Sequence, residues 1–354
     1  MKRPLLVGYA HGIMLLLATS CGTTRIEPPP AAVAATYDPV ISTEPWTAIG
    51  PTGRVITTPS FRVFTTEQDP LFLTRIPAFL ELSLASSRSR FGDLPEPRAP
   101  MNTYLLATRA EWATLTRELT GERASIYLRI QAGGFSERGR ALLFDVGRRG
   151  TFGLASHEAW HQYTQTTFDQ PLPLWLEEGI ATMMEGSRWS STDAALPVFL
   201  PWANVDRFDR LRELVAGGRL MPLHQLLASR PQDLLGWHSN DSAIDYYPQV
   251  WALALFLSES GHNGYADGLR AMIDDAAQGR LLQRLYRERG ARAASAFAQR
   301  RVGSDLFELY IDRDLQRAER RYIRFVEQAV DRGGRDEVVA GRSPVSRQRS
   351  SIGR

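Results

Sequence analysis

The rhythm of apolar and polar positions changes partway along the chain. Arg54–Ile56 and Phe61–Thr65, on either side of Thr57–Ser60, are rich in β-branched and aromatic residues and predict two short strands. Leu71, Leu73, Ile76, Phe79, Leu80 and Leu82 recur at helical spacings, which predicts a helix over Pro70–Ser87. Met101–Thr108 predicts a strand, and Arg109–Leu119 a helix with Trp112, Leu115 and Leu119 on one side. Ala132-Gly133-Gly134-Phe135 predicts a turn, and Arg140–Val146 a third good strand. From Thr151 to about Ala329 the spacing is helical nearly throughout. Strands mixed with helices, followed by a helical half, predict an α+β fold. A small mixed β-sheet should pack on the first helix after the third strand, with a mainly helical C-terminal subdomain beyond it.

The two ends read differently. Lys2 and Arg3 precede an apolar stretch from Leu5 to Leu17, then the small residues Ala18-Thr19-Ser20 and Cys21. That order predicts a secretory signal over residues 1–20. The placement of Cys21 resembles the lipobox of bacterial lipoproteins, in which that cysteine is lipidated and becomes the mature N-terminus. The resemblance implies a lipid-anchored protein of the cell envelope, in the outer membrane or periplasm of a Gram-negative cell. A plain secreted protein is the alternative. Residues 21–50, with Pro28-Pro29-Pro30 and an Ala-rich run, predict an extended tether. Residues 332–354, rich in Gly, Ser and Arg, predict a disordered basic tail. The folded unit is then residues 51–331, with a mixed subdomain over 51–167 and a helical one over 168–331.

Composition narrows the function. An apolar content of 43% with 23% charged residues is that of a globular chain, and the single cysteine excludes a disulfide framework or a cysteine-rich zinc module. The formal charge is +3, but Lys2, Arg3 and the tail with its six arginines account for more than that, leaving the body at −3. The folded part therefore carries no basic nucleic-acid footprint. Outside the N-terminus no stretch approaches the roughly 20 apolar residues of a membrane span, which excludes a multi-pass protein.

The chemistry is concentrated in His157-Glu158-Ala159-Trp160-His161. Two histidines at i and i+4 lie one turn apart on one helix face, so both imidazoles can meet one zinc ion. The glutamate beside the first histidine can serve as general base on a water at that metal. A catalytic zinc needs a third protein ligand and an open position. After 16 intervening residues and His161 comes a carboxylate in Trp175-Leu176-Glu177-Glu178-Gly179-Ile180-Ala181.

Together these motifs resemble the gluzincin, or peptidase MA-like, zinc metallopeptidases. In that pattern the glutamate immediately before glycine is the ligand, which implies Glu178 and leaves Glu177 as a solvated helix residue. Ala132–Phe144 is similar to the family's Gly-containing turn and edge strand, against which an extended peptide can pair by β-addition. Glu185, two turns beyond Glu178, sits where related enzymes place an acid that orients a ligand; surface exposure is the alternative. In Tyr246-Tyr247-Pro248-Gln249-Val250-Trp251 the family's Tyr-led helix is matched, which implies that a tyrosine hydroxyl faces the oxyanion. Tyr247 aligns best, with Tyr246 and His238 as alternatives. His11, His224 and His262 are left as signal, surface or core residues. The resemblance implies a Zn2+-dependent hydrolase acting on peptide or protein substrates. A non-catalytic lipoprotein that keeps this scaffold to bind an envelope polymer or partner, and a zinc amidase of the cell wall, stay open.

Overall fold

Side chains on Arg140–Phe144 alternate between two hydrophobic layers, as the two-residue period of a strand requires. Leu142 and Phe144 join Trp112, Leu115 and Phe135 on one face, while Ala141 and Leu143 join the main core on the other. The computed structural model describes residues 37–131, 133–189, 196–230, 241–259 and 264–345, with the backbone alone at 241–244. All of them belong to one unit, Thr36–Arg354. Cys21, His238, His11 and His262 lie outside the described residues.

The first half of the chain runs β1 (Ser42–Pro45), β2 (Arg54–Thr57), β3 (Phe61–Thr65), α1 (Pro70–Phe91), β4 (Met101–Leu106), α2 (Arg109–Thr120), α3 (Ala124–Tyr127), β5 (Gly134–Glu137), β6 (Arg140–Phe144) and α4 (Arg148–Thr167). The six strands form a mixed sheet in the order β1-β2-β3-β4-β6-β5, with β3, β4 and β6 parallel and the other neighbours antiparallel. α2 covers one face, its Trp112 Nε1 donating to Leu142 O at 3.1 Å. α1 and α4 contribute to the core on the other face, where Phe72 stacks on Phe152 with ring centroids 4.7 Å apart. Gln162, fully buried on α4, locks that helix to the sheet. Its amide oxygen accepts from Thr103 Oγ1 at 2.8 Å, and its nitrogen donates to Asn102 O and Gly139 O.

Three boundaries differ from the sequence reading. Ser42–Pro45 is not tether but the outermost strand, paired with Arg54–Thr57. The turn lies not at 132–135 but at Arg138-Gly139, because Gly134 and Phe135 already pair with Leu143 and Leu142. Both turn residues have positive φ, 52° and 73°, the combination that a two-residue hairpin twisted like its strands demands. Residues 332–345 are not a disordered tail. Gly334–Val339 is helical, Val338 is fully buried, and Arg335 pairs with Asp209 at 3.0 Å.

The second half runs α5 (Leu174–Met184), β7 (Ser187–Trp189), β8 (Pro197–Phe199), α6 (Val205–Ala216), α7 (Leu223–Ala228), α8 (Asp241–Glu259), α9 (Tyr265–Ala277), α10 (Leu281–Arg300), α11 (Asp305–Tyr310), α12 (Leu315–Val330) and α13 (Gly334–Val339). The β7–β8 hairpin interrupts an otherwise helical region. α5 and α8 meet at Gly179, where a Cβ would stand 2.6 Å from Val250 O. Only glycine allows that approach, so the residue after Glu178 fixes how close the two helices lie. Among the described residues no helix is long and apolar enough to cross a membrane.

Candidate metal centre

Every residue of α5 is buried, including two adjacent glutamates. An ionised carboxylate taken from water without a partner would cost several kcal/mol. Here both find partners on α4. Glu178 Oε2 lies 3.5 Å from His157 Nε2 and 3.4 Å from His161 Nε2, and the two Nε2 atoms are 3.2 Å apart. The three groups are placed to hold a metal ion.

The outer nitrogens are held as well. His157 Nδ1 is 2.9 Å from Glu185 Oε1, and His161 Nδ1 is 3.0 Å from Glu177 Oε1. A carboxylate accepting at Nδ1 fixes that nitrogen as the donor, which leaves the Nε2 lone pair of each ring aimed at the shared point. Two lone pairs and a carboxylate oxygen so close repel one another unless a cation or protons lie among them. The triangle also fits a metal. Bonds of about 2.0–2.1 Å in tetrahedral geometry put ligand atoms about 3.3–3.4 Å apart, within about 0.2 Å of all three separations.

Each backing carboxylate is itself anchored by arginine. Arg207 donates from Nε and Nη2 to the two oxygens of Glu185 at 3.1 and 3.0 Å, and Asn204 Nδ2 adds a bond at 2.8 Å. Arg301 Nη2 lies 3.5 Å from Glu177 Oε2, while Thr164 Oγ1 donates to Glu177 Oε1 at 2.6 Å. Arg301 also ties the end of α10 to the start of α5, through Leu172 O and its own carbonyl with Leu174 N. Glu177 is therefore no solvated residue. It is 4% exposed and stands behind His161 as Glu185 stands behind His157.

These charges set the protonation of the metal-free site. Burial pushes His157 down, but Glu178 and Glu185 outweigh it and raise its pKa to about 9. Burial opposes His161 likewise, and Glu178 and Glu177 hold it well above the usual imidazole value. Glu178, despite burial, is kept well below the carboxylate range by the two imidazoles. Glu185, also against burial, falls to about 2 beside Arg207 and His157.

Glu158 is buried next to this cluster, and Ser136 on β5 donates to its Oε2 at 2.7 Å. Sequence reasoning passed over Ser136, which only the pairing of β5 as the sheet's last strand brings to α4. Tyr247 packs its ring against His157 with centroids 6.2 Å apart, and the Arg207 guanidinium lies 5.0 Å from the tyrosine's ring centre. Burial and the Glu178 carboxylate drive its pKa well above the ordinary value, so the hydroxyl keeps its proton. Tyr246 is fully buried in the core, with a hydroxyl that has no partner among the described residues. His224 is exposed on α7. No protein-family model, curated protein or solved structure matches the chain.

Proposed function

We propose that this chain is a zinc metallopeptidase of gluzincin type, exported and lipid-anchored through Cys21, that hydrolyses peptide bonds in the cell envelope. The observation carrying this reading is the triangle of His157 Nε2, His161 Nε2 and Glu178 Oε2, with edges of 3.2, 3.4 and 3.5 Å, on whose histidine helix Glu158 is buried next to His157 in sequence. A His2Glu set is one of the standard donor sets of catalytic zinc and leaves a position open.

Zinc, when bound there, supplies a Lewis acid and lowers the pKa of a water. The remaining work falls to the chain. Glu158, oriented by Ser136, takes a proton from the attacking water and passes it to the leaving amine. Tyr247 donates its hydroxyl hydrogen to the carbonyl oxygen as negative charge develops on it. β5, last in the sheet, offers backbone groups to an extended substrate by strand addition. Glu185 and Glu177 keep both imidazoles in the tautomer that ligation needs.

The test is hydrolysis by the zinc-loaded full chain of an unstructured protein and, separately, of peptidoglycan fragments. Cleavage of the protein is expected, with Glu158→Gln slower by at least about a hundredfold, as loss of a general base requires. Cleavage of peptidoglycan amides alone would reassign the site to a cell-wall amidase.

A further inference from the structure

A cavity of about 660 Å³ opens at the N-terminal end of α4, and none of His157, His161 and Glu178 lines it. Its volume is that of a small-molecule site, typically about 300–1,000 Å³. Among the described residues five arginines line it and no acidic residue does. Two of the five are neutralised from outside the lining, Arg148 by Asp69 at 2.9 Å and Arg335 by Asp209 at 3.0 Å. Among the described residues, the other three meet no carboxylate. Arg75 lies over the Trp189 ring at 4.5 Å, Arg188 donates to Val338 O at 3.5 Å, and Arg149 makes no hydrogen bond or ion pair among the described residues.

The position of Arg149 is unfavourable for folding. Arg148 and Arg149 are the first two residues of α4, at the positive end of its dipole, where anions are preferred. No side chain caps that end and its first turn holds no acid. The acids close by are engaged elsewhere: Asp69 pairs with Arg148 at 2.9 Å, and Asp145 accepts from Gly147 N and Thr151 Oγ1. Arg149, unlike its neighbour Arg148, stands at the wrong end of an uncapped helix without a carboxylate partner among the described residues, which breaks a local rule in the way expected where a residue serves a ligand. Apart from Ser187, the cavity's other described lining is apolar. Leu71 and Val339 on its rim are 38% and 41% exposed, and Trp189 and Phe152 stand edge to face at 5.2 Å.

We propose that this cavity binds a small amphipathic anion, with its carboxylate or phosphate on Arg149, Arg75 and Arg188 and its apolar body against Trp189. None of His157, His161 and Glu178 lines the site, and Phe152 precedes His157 by five residues, about 7.5 Å along the helix axis. The proposal does not depend on the metallopeptidase reading.

Calorimetric titration of the full chain with naphthyl phosphate, naphthoate and neutral naphthol tests it. At least one anion should bind at least about tenfold more tightly than naphthol, as charge-assisted bonds to guanidinium require, and the stronger of the two assigns the head group. Arg149→Glu should abolish that preference while leaving the thermal midpoint unchanged or higher, since an acid suits the helix start. Arg75→Gln, on a different helix, should weaken the anion at least about threefold. Naphthol binding as tightly as both anions, or Arg149→Glu and Arg75→Gln binding like the parent, would overturn the proposal.

Discussion

His161 Nδ1 and Glu177 Oε1 stand 3.0 Å apart, repeating on the second imidazole the arrangement that Glu185 makes at 2.9 Å on the first. Both adjacent glutamates of α5 thus serve the same histidine, Glu178 from the metal side and Glu177 from behind. Glu177→Gln should lower zinc affinity by about 10–100-fold, the usual cost of removing such a backing group, while leaving the ligands in place. Glu178→Ala should remove far more. Competition with a chelator measures both, and equal losses would mean that Glu177 is itself a ligand.

Gly179 tests the packing that holds the centre together. A Cβ there would meet Val250 O at 2.6 Å and Ala254 Cβ at 3.1 Å. Gly179→Ala must push α8 away and should destabilise by about 1–3 kcal/mol, the cost of overpacking. Gly153→Ala is the control, because its Cβ would come no closer than 3.6 Å to Glu185 and gains helix propensity. Thermal unfolding of the two variants should move in opposite directions.

The protonation of these side chains in the apoprotein gives a pH signature. His157 has a folded pKa of about 9, above its unfolded value of about 6.5. Its contribution to stability is therefore fully present below about pH 6.5 and is lost as pH rises through about 9. The apoprotein's melting temperature should fall over that window, and zinc should remove the fall by replacing the proton. At pH 7, zinc binding should release about two protons, one from each imidazole. Calorimetry in buffers of different ionisation enthalpy counts them.

Two neighbouring tyrosines should behave oppositely. Tyr247 faces His157, and Tyr247→Phe should lower kcat by about a hundred- to a thousandfold with KM nearly unchanged, as for loss of one oxyanion donor. Tyr246 buries a hydroxyl without a partner, so Tyr246→Phe should leave kcat alone and not reduce stability. A crippled Tyr246→Phe beside a normal Tyr247→Phe would exchange their roles.

The ligand set was legible because it is local. A four-residue spacing on one helix places two imidazoles together without knowledge of the sheet, and the choice of Glu178 on the next rested on the resemblance to the gluzincin pattern. Glu177 was not, since Thr164 and Arg301 reach it from elements 13 and 124 positions away in the chain. A signal did exist: α5 is apolar on all sides of both glutamates, and a helix apolar all round is buried. Polar Ser42–Pro45 has no alternating pattern and is a strand only because β2 offers it an edge. Helix α13 is six residues long and holds its place through packing of Val338 and the Arg335–Asp209 pair, neither visible in a Gly- and Arg-rich stretch.

The most direct measurement is the metal content of the purified full chain, by elemental analysis, in parent and single variants. Near one zinc per chain is expected for the parent and for Glu158→Gln, with metal lost in His157→Ala, His161→Ala and Glu178→Ala. A parent chain that takes up no zinc, or a Glu178→Ala chain that keeps a full complement, would contradict the assignment of the centre.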